Sequence, residues 1–145
     1  EGAAIISYLA EKYQSPLLPQ SGATRPAALE AMMFCNATLH PAYSRCFFLA
    51  RQDVDAAAKS KLMGVATAAV QSLWDDIEAT LNKTRYFAGA NVTIADIMLA
   101  VMANWTSAFT PQFGPKTKAL IAEITARPSY QKALAAEGVT YKAAA

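Results

Sequence analysis

Ala90-Asn91-Val92-Thr93-Ile94-Ala95-Asp96-Ile97-Met98-Leu99-Ala100-Val101-Met102-Ala103 is the most apolar run of the chain, and it opens on a helix-start signal. The Thr93 hydroxyl can accept from a free amide of the first turn, and Asp96, three residues on, can reach back to the Thr93 amide. The Asp96 carboxylate also sits at the positive end of the helix dipole. Val92 before the cap and Ile97 after it stand at the spacing of a hydrophobic staple. Beyond Asp96 the helix is apolar on nearly every side, the mark of a helix buried all round. The unbroken apolar run 97–103 falls far short of the roughly 20 residues a membrane-spanning helix needs. The stretch is therefore expected to be the central core helix, over 93–108, of an all-helical domain. Capping accounts fully for Asp96, so a catalytic carboxylate is not expected there.

Working outward, 145 residues suit one domain with a sizeable core. Hydrophobic residues make up 54% and charged residues 17%, which excludes a disordered chain. A net charge of +2 with no basic run does not point to nucleic acid or an anionic membrane. Cys35 and Cys46, eleven residues apart on one helical pattern, would be about 16 Å apart. That is too far for a disulfide. Reduced thiols fit a reducing compartment such as the cytoplasm. One histidine and two unpaired cysteines give no metal-ligand set.

The pattern predicts about six helices, two of them long, and no strand. Residues 1–13 form a short helix through Ile5, Ile6, Leu9 and Tyr13. Two prolines and Gly22 make 14–23 a linker and a domain boundary, leaving 24–145 as the helical domain. Thr24 is the expected cap of a long helix with Pro26 in its first turn. Pro41 should kink or break that helix after His40. Asp53 is the expected cap of the next helix, which runs over 54–81 through Leu62, Val65, Ala69, Leu73, Ile77 and Leu81. Pro115 starts a helix with Leu120, Ile121 and Ile124 inward. Pro128 starts the last, closed by Gly138. The tail 139–145 has no clear pattern and is expected to be loosely held.

Four motifs, spread over the whole chain in order, resemble the glutathione transferase family. Glu1-Gly2-Ala3-Ala4-Ile5-Ile6-Ser7-Tyr8-Leu9 resembles the end of that family's thioredoxin-like N-terminal domain. Leu17-Leu18-Pro19 resembles its docking linker. Phe87-Ala88-Gly89 with Val92-Thr93-Ile94-Ala95-Asp96 resembles its capping box and staple. Arg127-Pro128-Ser129-Tyr130 resembles its closing motif. Ala37-Thr38-Leu39-His40-Pro41-Ala42-Tyr43 looks most like the bacterial, beta-type branch. There the histidine approaches glutathione, helped by an Asn seven residues earlier and a Lys directly after. Here those two positions are Met33 and Pro41, so His40 stands without them.

The resemblance implies a transferase that joins glutathione, its co-substrate, to apolar electrophiles as a homodimer and without a metal. It implies that Glu1 and Gly2 face the γ-glutamyl end of glutathione, a carboxylate opposite an ammonium, and that the His40 imidazole donates to a glutathione carboxylate. Without the resemblance, Glu1 reads as a solvated helix-start residue and His40 as a locally bonded helix-end histidine. By the resemblance Tyr43, Phe47, Trp105 and Phe109 would line the electrophile pocket, although aromatic residues at such spacing more often fill core; Trp105 and Phe109 would share one face of the central helix. The family's catalytic Ser, Cys or Tyr belongs to the first strand–helix unit of the thioredoxin-like domain, and no such segment is among these residues. The chain thus reads as a truncated transferase, inactive by itself and prone to self-association through the uncovered surface. The rival expectation is a non-catalytic, transferase-like module that binds other proteins.

Overall fold

The computed structural model describes residues 2–105 and 109–141. Its elements are α1 (Gly2–Lys12), α2 (Thr24–Phe34), a π-helical segment (Cys35–Leu39), α3 (His40–Arg51), α4 (Ala56–Leu81), α5 (Ile94–Ala103), α6 (Pro115–Thr125) and α7 (Pro128–Glu137). Since α2, the π segment and α3 follow without interruption, the described residues make six rods, of which this one and α4 are long. Among the described residues no strand forms; an isolated bridge joins Tyr86 to Gly89, whose φ of 128° suits a residue without a Cβ.

Helix α5 is the centre. Ala95, Leu99, Ala100 and Ala103 are fully enclosed, together with Cys35, Leu39, Tyr43, Trp74, Ile77, Ile121 and Ile124 from the surrounding helices. The helix is shorter than expected and not buried all round. It ends at Ala103, and Val101 is 42% exposed. The Asn104 and Trp105 amides donate to the carbonyls three residues back, Val101 and Met102, a tightened last turn that closes the helix. Trp105 and Phe109 therefore lie beyond α5 rather than on one of its faces.

Pro41 does not break its rod, which runs on from the π segment into α3. The His40 amide bonds to the Cys35 carbonyl, five residues back, so the wider π turn absorbs the proline that follows. Helix starts also shift. Ala23 precedes α2 and gives no side-chain cap, so Thr24 is simply its first residue. Asp55, not Asp53, caps α4, accepting from the Ala57 and Ala58 amides at 3.0 Å each. The buried stripe of α4 is Val70, Trp74, Ile77 and Leu81; Leu62 and Val65 of the expected inward row are exposed.

The linker packs on the bundle. Leu18 is buried with Ala10, Ala28 and Met32, worth about 2 kcal/mol of apolar burial for a leucine. The Ile94 amide donates to the Leu17 carbonyl at 2.8 Å. Gly138 closes α7 in the left-handed conformation, φ 65°. Within the tail, Tyr141 is held: its hydroxyl donates to the Ala100 carbonyl, and its ring meets that of Tyr130 edge-on at 6.0 Å, while 142–145 lie outside the described residues.

Candidate functional site

The capping box forms. The Thr93 amide donates to Asp96 Oδ2 at 2.7 Å, the Thr93 hydroxyl donates to the same oxygen at 3.1 Å, and the Phe87 amide donates to Oδ1 at 2.9 Å. Asp96 is wholly buried, and burial pushes its carboxyl above the usual range against the pull of these bonds. All three bonds hold the loop 87–93 onto α5, so its role is structural.

At the other end of α5, three side chains gather on Trp105. The His40 ring lies 5.2 Å from the Trp105 ring, Tyr43 meets it edge-on at 5.7 Å, and Phe47 at 6.0 Å. Tyr43 and Phe47 stack at 6.1 Å. The local sequence explains the arrangement. His40, Tyr43 and Phe47 sit at i, i+3 and i+7 on α3, one helical face, and the tightened end of α5 turns Trp105 toward them. Tyr43 is the floor of this cluster rather than its lining: it is 1% exposed, and the Trp74 indole N–H donates to its hydroxyl at 2.9 Å. Burial drives the Tyr43 hydroxyl pKa upward, so it stays protonated at neutral pH. His40 and Trp105 keep solvent contact. Phe109, partly buried, packs on the main core; among the described ring contacts it has none with Trp105.

Gly2 lies beside this region. A Cβ on it would stand 3.8 Å from Asn36 Oδ1, which places the start of α1 against the π segment four residues before His40. Glu1 falls outside the described residues. In the sequence Asn36 carries no binding signal beyond being a polar residue that interrupts an apolar helical pattern shortly ahead of a proline. Met33 is 44% exposed. Cys35 is enclosed, its thiol 3.7 Å from the Ala95 carbonyl, and burial pushes its pKa up to about 12, with Asp96 adding to the effect. It is a packing residue, as is buried Cys46. Among the described residues no three His, Cys, Asp or Glu side chains gather to hold a metal ion.

Residues 35–128 match the family described as "Glutathione S-transferase, C-terminal domain". The chain belongs to that family. Similar curated proteins include "Glutathione S-transferase 3" of Zea mays, 33% identical over 94% of this chain and 65% of the maize protein. The chain thus spans just under two thirds of that relative's length. Among solved structures, a sphingomonad glutathione S-transferase complexed with glutathione is 25% identical, with a TM-score of 0.81 over 97% of this chain and 68% of its own. The theta class enzyme of Xanthomonas axonopodis pv. citri with glutathione bound shares the fold at 23% identity, with a TM-score of 0.76 over 98% and 74%. The family match covers the π segment, His40, Tyr43, Phe47, the capping box and Trp105, so both ends of α5 fall within it.

Proposed function

We propose that these residues are the electrophile-binding part of a detoxifying glutathione transferase, active as a homodimer in the cytoplasm, whose thiol-activating residue lies in a thioredoxin-like domain. The observation that carries this is the Trp105 cluster. An apolar, aromatic surface with one imidazole at its rim adjoins the helix start that carries Gly2. Stacked and edge-on rings suit a flat apolar substrate. His40, exposed and able to donate, suits a carboxylate of glutathione. Glu1 and Gly2 would meet the γ-glutamyl end.

Helix α1 would be the last helix of the thioredoxin-like domain. It turns Ile5, Tyr8 and Leu9 outward, and with Tyr13 just after it they are between 44 and 69% exposed, an apolar face suited to the rest of that domain. The homodimer would form on the groove between α3 and α4, about 560 Å³, where Phe48, Leu62 and Val65 are exposed. Among the described residues no helix is long and apolar enough to cross a membrane.

The test is a conjugation assay on the whole polypeptide with glutathione and a chloronitroaromatic acceptor. Trp105→Ala should raise KM for the acceptor about tenfold, and His40→Ala should raise KM for glutathione several-fold, with smaller effects on the other substrate. Absence of both conjugation and glutathione binding would overturn the proposal in favour of a protein-binding module.

A further inference from the structure

At the end of α5 opposite Trp105 lies a second cavity, about 650 Å³, between the linker, the 85–93 loop and the start of α7. Its character is different. Arg85, Arg127, Asn91, Thr24 and the Tyr86 ring line it. The Arg85 guanidinium sits 5.2 Å over the Tyr86 ring, which keeps it at the cavity wall. Arg25 stands at the rim, donating to the carbonyl of Pro19, itself a lining residue.

The charges facing this space are unbalanced. Glu123 lies 4.0 Å from Arg85 and accepts from the Tyr86 hydroxyl at 2.6 Å, so it partly offsets one cation. Asp96 is committed beneath the floor to Thr93 and Phe87. Among the described residues Arg127 has no ion pair, although it is half-buried. The backbone adds to the field in the same sense. Thr24 begins α2, Thr93 caps α5 and Arg127 precedes α7, so three helix starts border one cavity. Those of α2 and α7 have no side-chain cap.

Two guanidiniums at the wall, a third at the rim and three positive helix ends match an oxyanion carrying more than one charge. The volume exceeds that of a bare ion and falls in the range of small-molecule sites. We infer that this cavity binds a small molecule bearing a phosphate or pyrophosphate group, with Arg127 and Arg85 as its anion ligands. The inference is independent of the glutathione site.

Inorganic pyrophosphate, titrated into the whole polypeptide at fixed ionic strength and followed by amide chemical shifts, tests it. Saturable shifts confined to residues near 24, 85–93 and 127 are expected. Arg127→Gln should weaken binding about tenfold, while Lys61→Gln, which removes a cation from exposed α4 surface, should leave it unchanged. Should Arg127→Gln fail to fold, Arg85→Gln serves, its side chain being 71% exposed, with a several-fold weakening expected. Shifts that never saturate, that scatter over all lysines, or an affinity indifferent to the arginine variants would each overturn the inference.

Discussion

Helix α5 is capped from within, by Thr93 and Asp96 three residues apart, whereas α6 is capped from outside, by Glu78 of α4. The residue before α6, Gly114, offers no side chain. Glu78 replaces it. Its Oε1 accepts from the Lys116 amide at 3.0 Å, and its Oε2 accepts from the Thr117 amide at 2.8 Å and the Thr117 hydroxyl at 2.7 Å. The glycine is the counterpart of that carboxylate, since a Cβ at position 114 would stand 2.3 Å from Glu78 Cδ. On the same helix, Gln71 two turns earlier exchanges two bonds with the Gln112 backbone, and one turn earlier the Trp74 ring meets Phe113 edge-on at 4.8 Å. A local cap fixes where a helix starts; a remote one also fixes where it lies against its neighbour.

The comparison can be broken by mutation, most severely at Asp96. Asp96→Ala would leave the Thr93 and Phe87 amides without their buried acceptor, and should lower unfolding free energy by about 3 kcal/mol in denaturant titration. Glu78→Ala should cost about 2 kcal/mol, because α6 loses a partly buried cap with three bonds. Gly114→Ala should cost about as much by expelling Glu78, yet add little in a Glu78→Ala background; full additivity in that double-mutant cycle would refute the proposed pairing of the two positions. Thr93→Ala should cost about 1 kcal/mol.

The smallest effect is in the pH dependence, where the two carboxylates have opposite signs. Burial works against ionised Glu78, but its bonds from Lys116 and Thr117 outweigh this and hold its pKa below the ordinary 4.5. Its stabilisation is therefore present above that value and is lost as pH falls through the lowered one. The Asp96 carboxyl, raised by burial, acts in the reverse sense: its contribution is present below the ordinary 3.8 and lost as pH rises through the raised value. Between pH 6 and 3, Glu78→Gln should therefore flatten the acid limb of the melting-temperature profile.

The same contrast explains what the sequence made legible. The α5 cap, the start of α7 at Pro128 and its stop at Gly138 are written within a few residues, so residue type and spacing suffice. Glu78 and Thr117 are 39 positions apart, and nothing near Gly114 announces a carboxylate from α4. Asp53 and Asp55 are equivalent as local signals; the fold chose the second. At the candidate site, Tyr43 and Phe47 are legible as neighbours on one helix, but the break expected after His40 hides that His40 shares their face, and their meeting with Trp105 depends on α5 ending early. That ending comes from a tightened turn no periodicity reveals. The arginine-lined cavity draws on the linker, the 85–93 loop and the start of α7, and no sequence window contains all three.

The π segment sets the phase of everything after it. Each residue of an α-helix turns the chain by about 100°, so the extra residue held in Cys35–Leu39 rotates α3 by about that angle relative to a plain continuation of α2. His40, Tyr43 and Phe47 face Trp105 only in that rotated setting. Straightening 35–39 into plain α-helix without removing a residue would turn all three side chains away from Trp105, whereas deleting one residue there would remove the need for the π turn and leave the cluster in place.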